Sequence, residues 1–197
     1  MALPARIVLA SGNAGKLREF RTLLVPWDTQ LLPQSAFKVS PIAETGGSYL
    51  ENAMLKARHA AQRTGLPALA DDSGLEVDAL DGRPGFHSAR FAGENASDAD
   101  NNQRLLTLLQ GIPKEKRSAR YRCVVVLVLP GGEKAPMVGE GCWEGHILEV
   151  PQGAGGFGYD PLFLAAERNS TAAQLPAADK NELGHRGKAL RALLQLT

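Results

Sequence analysis

The sequence has no surplus of either charge. Against 22 Lys and Arg stand 21 Asp and Glu, for a formal net charge of +1. A bulk nucleic-acid binder ordinarily carries a basic excess, so a nucleic-acid polymer is not expected as a partner, although a local basic cluster remains compatible with the balance. No run of about 18 apolar residues occurs, so neither a spanning helix nor a membrane partner is expected. Met1 to Leu9 is too short and too weakly apolar for a secretory signal. Cysteine is scarce: Cys123 and Cys142 lie in separate apolar segments without metal-ligand spacing. They read as buried free thiols of a cytoplasmic protein, with a bond between them as the alternative. Internal repeats, heptads and low-complexity tracts are also missing. What remains is an ordinary globular composition, 44% hydrophobic and 22% charged over 197 residues, which suits one domain or a closely joined pair, with a single domain spanning 1–197 as the expectation.

The chain is organised around Ala68-Leu69-Ala70-Asp71-Asp72-Ser73-Gly74-Leu75. An apolar run after Pro67 ends in two adjacent carboxylates and a hydroxyl. A carboxylate at the end of a buried strand can hold a hard cation or orient a water. In an extended segment consecutive side chains face opposite ways, so Asp71 and Asp72 cannot both serve one site, and one of them is structural. The plainer reading is a strand end followed by an Asp-Ser-Gly turn.

Arg6-Ile7-Val8-Leu9-Ala10 predicts a buried strand. Ser11-Gly12-Asn13-Ala14-Gly15-Lys16 follows, and then Leu17, Phe20, Leu23 and Leu24 recur at helical spacing. A strand, glycine-containing turn and helix present backbone N–H groups where anions are stabilised. Lys16 in the first turn opposes the helix dipole and makes sense beside a phosphate. The spacing is not that of a Walker A loop, and a plain strand–helix turn is the alternative. Residues 28–39 predict a weak strand. Ser48 with Glu51 forms a capping box that starts a helix, ended by Gly65 and Pro67. On it Asn52 and Lys56 could face a ligand, while His59 and Arg63 read as surface.

Leu75 to Leu80 predicts a further short strand, and 81–96 a long polar loop of the kind often functional. Ser97 or Asp98 caps the next helix, which carries Leu105, Leu106, Leu108 and Leu109. Ala119 to Leu129, the turn Pro130-Gly131-Gly132-Glu133 and Met137 to Trp143 predict a β-hairpin. Gly153 to Pro161 is rich in glycine around Phe157, Tyr159 and Asp160. Such backbone lets a ligand approach closely, and the aromatic ring there either stacks on a flat base or tucks into the core. Leu162 to Leu164 predicts a short strand and Thr171 to Leu175 a small turn. His185 and Arg186 open a closing helix that runs through Ala189, Leu190, Leu193, Leu194 and Leu196. The elements mix without strict alternation, which gives an α/β or α+β fold around a mixed sheet.

Five motifs occur in series: Ser11-Gly12-Asn13-x-x-Lys16; Glu44-Thr45-Gly46 with Glu51-Asn52-Ala53-x-x-Lys56-Ala57; Ala70-Asp71-Asp72-Ser73-Gly74-Leu75; Gly155-Gly156-Phe157-Gly158-Tyr159-Asp160-Pro161; and His185-Arg186-Gly187. In this order and spacing the chain closely resembles the inosine triphosphate pyrophosphatase family, in particular its bacterial dITP/XTP pyrophosphatases, from about residue 6 to 194. One departure is Gly184, where many members have Ser. The resemblance implies an elongated mixed β-sheet flanked by helices, in two lobes with a central cleft. It implies a homodimer and a Mg²⁺-dependent hydrolysis of dITP, ITP and XTP to the monophosphate and pyrophosphate. By the same resemblance Asp72 is the catalytic carboxylate and, with Glu44, holds Mg²⁺. Ser11, Gly12, Asn13, Ala14, Gly15 and Lys16 cradle the triphosphate, Lys56 and Lys180 add positive charge to it, and Ser73 contacts the substrate. Phe157 stacks on the purine, Gly158, Tyr159 and Asp160 complete that match, and His185 and Arg186 read the 6-oxo group. A pyrimidine pyrophosphatase of the septum-inhibitor type, or a sensor that binds without cleaving, would be the rivals.

Overall fold

The computed structural model describes residues 3–132 and 134–195, so Glu133 of the expected turn and Leu196 of the closing helix lie outside the described residues. The strands are β1 (Arg6–Leu9), β2 (Gln30–Pro33), β3 (Ala68–Val77), β4 (Ser118–Val128), β5 (Met137–Ile147) and β6 (Phe163–Ala165). The helices are α1 (Ala14–Leu24), α2 (Tyr49–Thr64), α3 (Asp98–Leu108), α4 (Ala177–Leu183) and α5 (His185–Leu194). The six strands form one mixed sheet in the order β2-β1-β3-β4-β5-β6, flanked by helices. The chain divides into two compact units. The first holds the chain up to Asp72, Cys123–Gly141 and the part from Arg186. The second holds Ser73–Arg122 and Cys142–His185.

In the first unit β1 runs parallel to both neighbours, with Ile7 opposite Leu31 and Leu9 opposite Leu69. Parallel strands need crossovers, and α1 and α2 supply them. The two-residue period of the strands then sorts the core. Ile7, Leu9, Leu69, Cys123, Val125 and Leu127 pack with Phe20 and Leu24 of α1 and Ala189, Leu190 and Leu193 of α5. Val8, Ala10, Ala68, Ala70, Val124 and Val126 pack instead with Ala53, Ala57, Ala60 and Ala61 of α2. Small residues on α2 let it lie close to the sheet. Ser48 caps α2 by accepting from the Glu51 N–H, and Gly65, at φ 66°, ends it in the left-handed conformation.

In the second unit Leu75, Val77, Ala119, Tyr121, Trp143 and Ile147 share a core with Leu105 and Leu109 of α3 and with Tyr159, Leu162 and Phe163. The turn reading of Asp-Ser-Gly is not what forms. β3 continues through Ser73 and Gly74 to Val77, and the separate short strand expected at Leu75 to Leu80 merges into it. The reason is burial: Leu75 and Val77 are both fully covered, so the alternating pattern outweighs the local turn preference. The polar loop after it contains a short 3-10 stretch, Gly85–Arg90, whose Ser88 Oγ accepts from the Leu75 N–H at 2.9 Å. Ser97 caps α3 in a reciprocal capping box with Asp100. The weak second strand is confined to Gln30–Pro33, and β6 begins one residue later than expected. Helix α4 is short, polar and without a side-chain cap, and nothing in its sequence pattern announces it. Both cysteines are free, Cys123 buried and Cys142 half-buried. No helix among the described residues is long and apolar enough to cross a membrane.

Gly139 of β5 lies against α5: a Cβ there would stand 2.1 Å from the Ala189 carbonyl oxygen and 2.5 Å from the Leu193 nitrogen. Both are backbone atoms and cannot turn aside. Gly139→Ala is expected to destabilise the fold by about 1–3 kcal/mol, seen as a lower urea midpoint at unchanged slope. Gly12→Ala, where no atom lies within 4 Å of the added carbon, should leave the midpoint within about 0.5 kcal/mol.

Candidate active site

The alternation that sorts the core also separates the two aspartates of β3. Asp71 follows Leu69 onto the side of α1 and α5. There its Oδ2 meets Lys16 Nζ at 2.9 Å and accepts from Arg186 Nε at 3.2 Å. Arg186 Nη1 also donates to Glu19, and its guanidinium lies 5.9 Å from the Phe20 ring centroid. Asp71 is 1% exposed and Arg186 3%. Burial alone would raise the Asp71 pKa, but Lys16, Arg186 and Lys56 outweigh it and hold the carboxyl well below its usual range. For Arg186, Asp71 and Glu19 likewise outweigh burial and keep the guanidinium charged. Burial pushes the Cys123 thiol up, so it stays protonated and inert.

Asp72 follows Ala68 and Ala70 onto the side of α2. Its Oδ1 accepts from Lys56 Nζ at 2.7 Å, and the same ammonium lies 2.7 Å from Glu44 Oε1. Asn52, one turn before Lys56, donates through Nδ2 to Asp72 Oδ2 at 3.4 Å and accepts the Gly46 N–H at 2.8 Å. Glu51 Oε2 accepts the Gly47 N–H at 2.7 Å. These bonds stitch the loop that carries Glu44 to the first turns of α2. A Cβ on Gly46 would stand 2.6 Å from Glu51 Cβ, so the loop needs glycine to come this close. Burial raises the Asp72 pKa more than Lys56 lowers it. Lys56 is raised in turn, because Asp72, Asp71 and Glu44 outweigh its own burial. One ammonium between two carboxylates leaves net negative charge and oxygen donors converging on one point. No cluster of three or more His, Cys, Asp or Glu suited to a metal occurs among the described residues. A pair of carboxylates is nevertheless what Mg²⁺ commonly uses when substrate phosphates and waters complete its octahedron.

The turn before α1 is exposed at Gly12, Asn13 and Ala14, half-buried at Ser11 and Lys16, and buried at Gly15. Asn13 caps the helix by accepting the Lys16 N–H at 3.1 Å, while its own N–H donates to Ser11 Oγ at 3.1 Å. No acidic residue lies in the first turn of α1, which leaves its N-terminus attractive to an anion. The charge of Lys16 against the dipole finds its explanation in buried Asp71.

In the second unit Phe157 is half-buried, and its N–H donates to Asp160 Oδ2 at 2.8 Å. Lys180 Nζ lies 2.5 Å from the same oxygen and 4.7 Å from the Phe157 ring centroid. Tyr121 donates to Asp160 Oδ1 at 3.3 Å, and the His185 ring stacks on Tyr121 at 4.6 Å between centroids and 13° between planes. Tyr159 is buried and donates through its hydroxyl to the Ser88 carbonyl at 2.8 Å. Burial, aided by Asp98, raises its pKa. Gly184 also fits its place: a Cβ there would stand 2.5 Å from the Lys180 carbonyl oxygen.

The structure therefore groups Glu44, Lys56 and Asp72 in the first unit, with Lys16 on the other side of the strand. It groups Phe157, Gly158, Tyr159, Asp160 and Lys180 in the second. Lys180 stands with Phe157 and Asp160, and Lys56 with Asp72. His185 and Arg186 are adjacent in sequence but differ in surroundings, one ring on Tyr121 and one guanidinium on Asp71 and Glu19. Ser73 is half-buried beside Asp72. Sequence reasoning named Asp98 only as a candidate helix cap and did not single out Glu19, Tyr121 or Asn102. Glu19 carried a weak signal, three residues after Lys16 on one helix face. Tyr121 and Asn102 carried none.

A family model described as the Ham1 family matches residues 7–196. The chain belongs to the Ham1 family. It is 54% identical to a dITP/XTP pyrophosphatase of Vibrio parahaemolyticus over 188 residues, covering 95% of this chain and 94% of that protein. A dITP/XTP pyrophosphatase of Methylococcus capsulatus is also 54% identical, with 95% and 94% covered. Among solved structures, a HAM1 protein from Coxiella burnetii superposes with a TM-score of 0.87 at 46% identity, over 98% of each chain.

Removing one partner of a buried ion pair leaves the others uncompensated. Asp71→Asn, which strips the carboxylate from Lys16 and Arg186, is expected to destabilise this Ham1 protein by about 3–5 kcal/mol. The depressed Asp71 pKa contributes stability that is present above the unfolded value of about 3.9 and is lost as the pH falls below it. Urea titrations at several pH values, with chelator present, should show a shallower acid loss in Asp71→Asn than in the parent.

Proposed function

We propose that this Ham1 protein hydrolyses dITP, ITP and XTP to the nucleoside monophosphate and pyrophosphate, with Asp72 as the base. The observation that carries this reading is the Asp72 carboxylate, buried, raised in pKa and aimed by Lys56 and Asn52 beside Glu44. A binding module has no need of two carboxylates facing a triphosphate. Relatives at 54% identity bear the name dITP/XTP pyrophosphatase, which supports dITP and XTP among these substrates.

In the proposed reaction a water oxygen attacks the α-phosphorus while Asp72 accepts its proton. The bond from the α-phosphorus to the bridging oxygen breaks, and that oxygen leaves with pyrophosphate. In the Ser11-Gly12-Asn13-Ala14-Gly15-Lys16 turn the Asn13 and Lys16 N–H groups already bond within the cap, and those of Gly12, Ala14 and Gly15 would donate to phosphate oxygens at the N-terminus of α1. Lys56 would meet charge developing on the phosphates as they enter, and Ser73 would contact the substrate beside Asp72. Glu44 and Asp72 are the donors that fit Mg²⁺, which when bound would neutralise phosphate charge and polarise the scissile bond. Phe157, with one face under the Lys180 ammonium, would stack on the purine. Gly158, Tyr159 and Asp160 would shape the loop around it, and His185 and Arg186 would favour a 6-oxo purine. Adenine places a donor where such a site offers donors, and one unpaired buried donor costs about 1–3 kcal/mol. A homodimer working in the cytoplasm on free nucleotides, with the whole chain as one functional domain, completes the proposal. The near-neutral net charge favours free nucleotides over a nucleic-acid polymer as the substrate.

A product assay with Mg²⁺ comparing ITP, XTP, GTP, ATP and dTTP tests the reaction. Pyrophosphate from ITP and XTP, with little from the others, is expected. Orthophosphate alone would move the cut to the γ-phosphate and sink the mechanism. Asp72→Asn should lower turnover by about a hundredfold or more with the circular dichroism spectrum unchanged. Phe157→Ala should weaken ITP binding by about 1–3 kcal/mol, and an unchanged KM with a lower melting temperature would return Phe157 to a packing role.

A further inference from the structure

The backbone on both sides of the Phe157 Cα is pinned by side chains, and two of them come from a helix to which no role has been given. The peptide before Phe157 is held through its own N–H on Asp160 Oδ2. The peptide after it is held through the Gly158 N–H, which donates to Asp98 Oδ2 at 2.6 Å. The Gly158 carbonyl accepts from Asn102 Nδ2 at 2.9 Å. Asp98 and Asn102 stand four residues apart on α3, so they share one face. Asn102 Nδ2 also donates to the Asp98 carbonyl at 2.8 Å, which ties the two grips together. Gly158 sits at φ +62°, a conformation glycine tolerates and other residues resist.

Helix capping does not account for the pair. Ser97 and Asp100 already form the reciprocal cap of α3, and the carboxylate of Asp98 goes to a loop 60 residues away. Asn102 keeps its place although its Oδ1 is buried with no hydrogen-bond partner among the described residues. An unsatisfied buried acceptor is unfavourable and calls for a reason. With both flanking peptides held, φ and ψ of Phe157 are restrained, and with them the direction of its Cα–Cβ bond, from which the ring projects.

We infer that Asp98 and Asn102 are positioning residues for base recognition: the first turns of α3 grip Gly158 by both its backbone groups and thereby aim Phe157 at the purine. The inference rests on the reading that Phe157 stacks on the base. It makes base affinity depend on two side chains that touch no part of the substrate.

The test is steady-state hydrolysis of ITP by Asp98→Ala, Asn102→Ala, Phe157→Ala and the double variant Asp98→Ala/Phe157→Ala, each checked by thermal melting. Asp98→Ala and Asn102→Ala should each raise KM roughly two- to tenfold, as expected for one lost hydrogen bond, with kcat within about twofold. Asp98→Asn keeps an acceptor oxygen and should restore KM. In the Phe157→Ala background Asp98→Ala should add nothing to KM. If Phe157→Ala raises KM while Asp98→Ala and Asn102→Ala leave it unchanged, the grip is structural only and the inference falls alone. If Phe157→Ala itself leaves KM unchanged, the stacking reading falls and takes the inference with it. Should one alanine variant fail to fold, the other and Asp98→Asn still read the same KM split.

Discussion

An extended chain sends consecutive side chains to opposite faces, and at Asp71 and Asp72 this one constraint divides structure from chemistry. The same period places Leu69 and Asp71 toward α1 and α5, and Ala70 and Asp72 toward α2. Each carboxylate then meets what its helix carries. The strand must stay extended for this to work, and it does so because Leu75 and Val77 continue the buried pattern past Gly74.

The two carboxylates are balanced in opposite senses. Asp71 faces Lys16 and Arg186, so cations outnumber it, and Glu19 restores the count around Arg186. Asp71 and Arg186 at the centre of this network are buried. Asp72 shares one ammonium with Glu44. Burial raises its pKa more than Lys56 lowers it, and Glu44 adds to the rise. Two carboxylates one residue apart on the same strand thus have pKa values shifted in opposite directions.

The second unit solves a different problem. A segment with several glycines has little side-chain packing to fix it, so its backbone is held by polar side chains from elsewhere. Asp160 receives the Phe157 N–H, Lys180 and Tyr121 on its two oxygens. The neighbouring Asn101 receives the Ala92 N–H and donates to the Ala89 carbonyl, which steadies the loop whose Ser88 carbonyl accepts from Tyr159. The aromatic ring is left half-buried on a backbone that is not free to turn.

Much of this was present in the sequence. The β-branched apolar run from Arg6, the period of 3.6 after Asn13, the Ser48–Glu51 signal and the closing glycine of α2 are local patterns, and local patterns determine local structure. The opposition of Asp71 and Asp72 also followed from strand geometry alone. What tertiary structure decided was which charges meet. Arg186 reaches Asp71 across 115 residues, and Asp98 reaches Gly158 across 60. No periodicity encodes such a pairing, because it depends on how far each backbone has already been placed by packing. Lys16 shows the difference best. Its conflict with the helix dipole was legible from sequence and suggested an anion there, but only the folded chain could show that a buried aspartate from another strand already supplies one.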